Sequence, residues 1–241
     1  MPSVKRLFVK EQNAGFPKKK FVFIPNGVDT KKFQGDYSRN DLGRITHLDL
    51  RDKKVILTLG RLAKRKGVVW FIENIVPRLD EKVVYLIAGD GEDKEKILQT
   101  IQEKKLKDRV KLYTRLNDEE RKILYNTADL FVQPNIKTEG DMEGFGLVVL
   151  EAAAGGRVVV ASELEGLKDA IQNGQNGFLV ESGNQERWLK KIEAILADDS
   201  FRQIFGQRAQ EYVEKNYHWE KIAQRYAEVL QEPVQLSQSE E

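Results

Sequence analysis

Cysteine is absent from the 241 residues, which excludes disulfides, thiol nucleophiles and cysteine-ligated zinc or iron centres together. Histidine is nearly as scarce. His47 stands in a polar stretch and His218 just before a helical one, too far apart in sequence to suggest a histidine-rich metal site or a Ser-His-Asp set. No apolar run approaches the ~20 residues of a membrane span, and Met1 to Glu11 lack the apolar segment of a secretory signal, so the expected location is cytoplasmic. Net charge is only +2, without the one-sided basic excess of a nucleic-acid binder, and nucleic acid is not an expected partner. The remainder, 40% hydrophobic and 32% charged, is ordinary for a folded chain of one or two domains.

What is present is a regular alternation. Strand-like runs at Val55–Leu59, Val83–Ala88, Arg109–Tyr113, Leu130–Val132 and Arg157–Ala161 are separated by helix-length stretches near Val68–Arg78, Glu92–Lys104 and Asp118–Asn126. Strands apolar on both faces with helices between them predict a parallel sheet covered on both sides and wound right-handed, a Rossmann-like α/β domain. A short strand at Gly177–Val180 and helices near Asn184–Leu196, Phe201–Asn216 and Trp219–Leu230 complete it. Upstream, residues 3–14 read as an amphipathic helix closed by Gly15 and Pro17, and Phe21–Ile24 as a strand stopped by Pro25-Asn26-Gly27. Lys18–Lys20 reads as a solvated edge, with a phosphate or peripheral membrane contact left open. Residues 28–52 read as a polar connector holding about one helical turn. The expected divisions are 1–52, 53–216 and 217–241, the last ending in a polar, acidic tail from Gln231 to Glu241 expected to stay unordered.

The chemistry concentrates in residues 139–156. Gly144 and Gly146 leave the backbone bare before Leu147–Ala154, an apolar run without a polar face that predicts a buried helix. A helix starting near Phe145 or Gly146 aims unpaired N–H groups and its positive dipole end outward, a natural seat for an anion. Two carboxylates stand eight residues apart: Glu143 in the loop at the mouth, and Glu151 about one and a half turns inside. No Lys or Arg lies three or four residues from Glu151 on its own helix, so its partner comes from elsewhere. The vicinal hydroxyls of a ribose fit, as in dinucleotide-binding folds; a distant amide or arginine stays open as the alternative.

A second phosphate-ready loop is Gly60-Arg61-Leu-Ala-Lys-Arg-Lys66-Gly67, between a strand and a helix. Arg61 forks across two oxygens and Lys66 acts as a point charge, a pair suited to a diphosphate; a solvated basic loop is the alternative. Gly89-Asp90-Gly91 is a tight turn. No Asp-x-Asp pair is placed to hold Mg²⁺ against a pyrophosphate, so charge neutralisation falls to Arg61, Lys66 and backbone amides.

In order along the chain, Ile24-Pro-Asn-Gly-Val-Asp29, the Gly60–Gly67 loop, Leu86-Ile-Ala-Gly-Asp-Gly91 and Glu143-Gly-Phe-Gly-Leu-Val-Val-Leu-Glu151 resemble the C-terminal, donor-binding half of family-four retaining glycosyltransferases with the two-Rossmann GT-B fold, proteins of carbohydrate biosynthesis. The resemblance runs from about residue 20 to 230. It implies a nucleotide-sugar donor such as a UDP-, GDP- or ADP-sugar as substrate, no cofactor and no metal. By that similarity Arg61 and Lys66 bind the donor phosphates and Glu143 faces the transferred sugar. Gly144, Phe145, Gly146 and Leu147 supply main-chain contacts, Glu151 holds the ribose, and Thr114 to Leu116 lie near the base. Tyr113-Thr-Arg-Leu116 departs from the commoner glycine-containing form, and Pro134-Asn135 replaces Pro-Ser. Family members also carry an N-terminal domain with the acceptor pocket and a catalytic-site histidine, of which only about twenty residues precede Ile24 here. Two expectations follow from the resemblance: the chain is a truncated half, or it works with a partner, a separate N-terminal-type domain or a second copy of the chain. A non-catalytic sugar-nucleotide-binding module, and the epimerases and phosphorylases that share the architecture, stay open as alternatives.

Overall fold

The structure is a computed structural model that describes residues 22–231. The helix expected over 3–14, the Lys18–Lys20 triplet and the tail from residue 232 lie outside the described residues. The strand-like runs become one six-stranded sheet: β1 (Lys54–Leu59), β2 (Val83–Ala88), β3 (Val110–Tyr113), β4 (Leu130–Gln133), β5 (Val159–Ser162) and β6 (Phe178–Val180). Their order is β3-β2-β1-β4-β5-β6, and each neighbouring pair is parallel. Every residue of β2, β4 and β5 is buried, as a parallel sheet covered on both faces requires.

The helix α1 (Arg39–Thr46) precedes β1; parallel neighbours need long crossovers, and these carry α2 (Val68–Asn74), α3 (Lys94–Glu103), α4 (Asp118–Thr127), α5 (Leu147–Ala154) and α6 (Leu167–Ala170), while α7 (Gln185–Leu196), α8 (Asp199–Tyr217) and α9 (Trp219–Gln231) follow β6. Strand order reverses at β1, which pairs with β2 on one side and β4 on the other. In open sheets of this kind the crevice beyond the carboxyl ends of the two strands at that reversal is where ligands bind.

Four local expectations change. The helix expected over Val68–Arg78 breaks after Asn74 and resumes as a 3-10 turn at Val76–Arg78, because Pro77 has no N–H to continue the ladder and disfavours helix at the residue before it. Arg157 precedes β5 instead of opening it, its guanidinium donating to the carbonyls of Gly155 and Ala128. Residues 22–24 form no strand. The stretch 28–52 carries a 3-10 turn at Thr30–Phe33 and the eight-residue α1, started by a reciprocal capping box between Ser38 and Asp41. Val28, Phe33, Leu42 and Leu50 from this stretch join the same buried core as the strands. Among the described residues no helix is long and apolar enough to cross a membrane.

Candidate functional site

The loops that leave β1 and β4 meet over the reversal point. Ile136 donates its N–H to the Arg65 carbonyl at 2.9 Å. Gly67 ends the 3-10 turn Lys64–Lys66 and starts α2 in the left-handed region, φ 66°. A Cβ there would stand 1.9 Å from the Pro134 carbonyl oxygen, so the close approach of the two loops requires glycine.

That contact delivers Lys66 to Glu143. The ammonium and the carboxylate Oε2 are 2.5 Å apart, and the residues are only 7% and 6% exposed. The same oxygen accepts from Asn135 Nδ2 at 3.1 Å and has Arg65 Nε at 3.9 Å, while the Glu143 N–H donates to Glu165 at 2.6 Å. Burial by itself pushes the Glu143 carboxyl up; the charge and hydrogen bond of Lys66, the Asn135 amide and Arg65 outweigh it and hold the carboxyl below its ordinary value. Glu143, expected at an open mouth, is thus inside a polar network.

Next in the chain, Gly146 caps α5 at φ 83° with no side-chain cap bond, leaving the first N–H groups of the helix without intrahelical partners. Phe145 is buried and Leu147 exposed. Gly144 has open space on its Cβ side. One and a half turns in, Glu151 Oε2 accepts from the Tyr125 hydroxyl at 2.7 Å and lies 3.8 Å from Arg121 Nη2. Both partners come from α4, as the lack of a cation on its own helix required. Arg121 and Tyr125 went unnoticed in the sequence. Their spacing of four puts them on one face of α4, yet nothing in that spacing separates a site tyrosine from a core one.

Arg61 points its charge elsewhere. It pairs with Glu92 at 3.2 Å, its side chain 71% exposed, and lines a cavity of about 270 Å³ with Gly60, Gly89, Asp90, Leu116 and Arg121. Arg121 therefore joins this cavity to Glu151, and Gly60 abuts the first turn of α5, where a Cβ would lie 3.5 Å from Val148 Cγ1. The expected residues fall into two groups that both adjoin the start of α5: Lys66 with Glu143, and Arg61, Leu116 and Glu151 linked through Arg121. Larger hollows of about 550 and 750 Å³ open around Asp129 and Asp199. Asp129 precedes β4 and Asp199 opens α8; both lie at the amino edge of the sheet and are ion-paired with Arg39, Arg202 and Lys54, whereas the smaller cavity is at the carboxyl edge, where ligands of such sheets bind. No group of three or more His, Cys, Asp or Glu placed to hold a metal ion occurs among the described residues.

The family model described as glycosyl transferases group 1 matches residues 46–212. An uncharacterised glycosyltransferase of Methanocaldococcus jannaschii is 28% identical over 225 residues, which cover 91% of this chain and 56% of that protein. Among solved structures, Anabaena HepE in complex with UDP aligns with a TM-score of 0.79 at 24% identity, over 92% of this chain and 60% of its own. The C-terminal domain of a Francisella tularensis group 1 family glycosyl transferase aligns at 0.66 and 23% identity, over 80% of this chain and 99% of that domain. At these identities the structural matches establish the fold, a Rossmann-like domain of the kind found in GT-B glycosyltransferases. The chain spans little more than half the length of the curated relatives it matches.

Proposed function

The chain belongs to the glycosyl transferases of group 1, and on that premise we propose that the crevice between the β1 and β4 loops binds the nucleoside diphosphate of a sugar donor, for retaining, metal-independent transfer of the sugar. The observation that carries this reading is the start of α5, without a side-chain cap, adjoining both the Lys66–Glu143 pair and the cavity of Arg61 and Arg121. When the bond from the anomeric carbon to the diphosphate oxygen breaks, its electron pair stays on the diphosphate. Arg61, Lys66 and the N–H groups of Gly144 to Leu147 meet that growing charge, which is why no metal ion is invoked. An ammonium has three donors, so Lys66 serves a phosphate oxygen while it keeps Glu143. Glu143 orients the sugar hydroxyls, Glu151 takes the ribose and Leu116 borders the base. HepE was solved with UDP, which makes UDP the first ligand to try. Because the chain spans 56% of the relative's length, transfer to an acceptor by the whole protein is part of the proposal.

Calorimetric titration with UDP, GDP and ADP tests it. One of them is expected to bind, and Arg61→Ala to weaken it roughly tenfold or more, the effect of losing a charge-assisted hydrogen bond. Unchanged affinity in Arg61→Ala and Lys66→Ala refutes the assignment. Binding with neither sugar transfer nor hydrolysis by the whole protein would instead identify a non-catalytic sugar-nucleotide-binding module.

A further inference from the structure

Both contacts that Glu151 makes fall on one oxygen. The Tyr125 hydroxyl and Arg121 Nη2 approach Oε2, and no hydrogen bond from the described residues is directed to Oε1. Tyr125 is fully buried, and its ring is fixed from two sides: edge-on against Phe33 at 5.5 Å between centroids, and tilted against Phe131 at 5.9 Å. Its phenol is pushed well above the ordinary 10 by burial, reinforced by the neighbouring Glu151 charge, so it keeps its proton and is always the donor in this pair. A carboxylate on a helix otherwise turns about its terminal bonds, and an oxygen held by a caged donor stops that rotation.

From this geometry we infer that Tyr125 is a positioning residue for ribose recognition: its hydroxyl pins Glu151 Oε2 and thereby turns Oε1 to the ribose hydroxyls of the donor. The inference rests on the donor-binding reading above and adds to it a residue that does not itself touch the ligand. Phe33 then has a part in the site although it lies in the 3-10 turn before α1, since it is the edge contact that steadies the tyrosine. Arg121 belongs to the same arrangement: its Nε is buried without a hydrogen-bond partner among the described residues, and the residue lines the cavity together with Arg61.

The experiment measures affinity for UDP, or for GDP or ADP where the titrations select one of those, and for the matching 2′,3′-dideoxynucleoside diphosphate. Wild type is expected to prefer the hydroxylated ligand about tenfold or more, since hydrogen bonds to a charged carboxylate are lost with the hydroxyls. Tyr125→Phe deletes only the phenol oxygen. It is expected to cut that preference about threefold to fivefold while leaving affinity for the dideoxy ligand unchanged, a split that a general loosening of the site does not produce. Should Tyr125→Phe fail to fold, Phe33→Leu carries the same test, with a smaller fall in the preference expected. An unchanged preference in the folded variant, or equal weakening of both ligands, overturns the inference while the donor-binding reading stands. Absence of binding of every nucleoside diphosphate by wild type overturns both.

Discussion

Lys66 and Glu143 are both nearly inaccessible to solvent, and each is the other's main compensation for burial. Removing one member of such a pair strands a charge in a poor dielectric. Lys66→Ala is therefore expected to lower unfolding free energy by about 3 kcal/mol, less whatever Asn135 and Arg65 recover, as measured by urea denaturation. Arg61, exposed and, among the described residues, paired only with exposed Glu92, should change stability by less than about 0.5 kcal/mol when replaced by alanine, which makes it the cleaner probe of ligand binding. Glu143 also sets a pH dependence. Its native pKa lies below the ordinary 4.5, so the folded state binds fewer protons than the unfolded one as pH drops through this range. The stability it contributes is complete above about 4.5 and disappears as pH falls through the native value. Urea midpoints measured on descending through that window should decline more steeply for wild type than for Glu143→Gln; parallel curves would show that the carboxylate is not held as described.

At the scale of elements, the β4–α5 connection shows how backbone and side chain divide the work. The apolar run Leu147–Ala154 and the glycines before it announced a buried helix with an open start, and α5 occupies those eight residues. What surrounds that start was not legible, since it depends on the β1 loop folding back far enough for Gly67 to touch Pro134. Two glycines should accordingly behave in opposite ways. Gly67→Ala combines a left-handed backbone with a collision against a carbonyl, and a loss of at least about 2 kcal/mol is expected in thermal or urea unfolding. Gly144→Ala has open space around its new methyl and should leave stability within about 0.5 kcal/mol, yet weaken nucleoside-diphosphate binding by keeping the ligand off the main chain. Loss of stability in Gly144→Ala, with binding intact, would contradict the assigned role.

Across the whole molecule, the alternation of strand-like and helical stretches was enough to foresee a parallel, doubly covered sheet, because strands buried on both faces lose their polar alternation. Residues 28–52 show the opposite situation. Their composition is polar, and the few apolar side chains are too dispersed to show a period, so they read as a connector; Leu42 is nonetheless fully buried among the core residues. Leu42→Ala is expected to cost about 2–5 kcal/mol by urea denaturation, where a linker position would cost almost nothing. By itself the sequence determined the layered α/β sheet, the helix with its uncapped start, and which residue types bear charge near it, since local periodicity and turn chemistry depend only on neighbours in the chain. Only the tertiary structure decided that Lys66 is spent on Glu143, that Tyr125 and Arg121 hold Glu151, and that Phe33 packs behind them. Those partners are separated by up to 92 residues (Phe33 to Tyr125), and contacts at such separation are set by how the packed helices and loops come together, which no local pattern records.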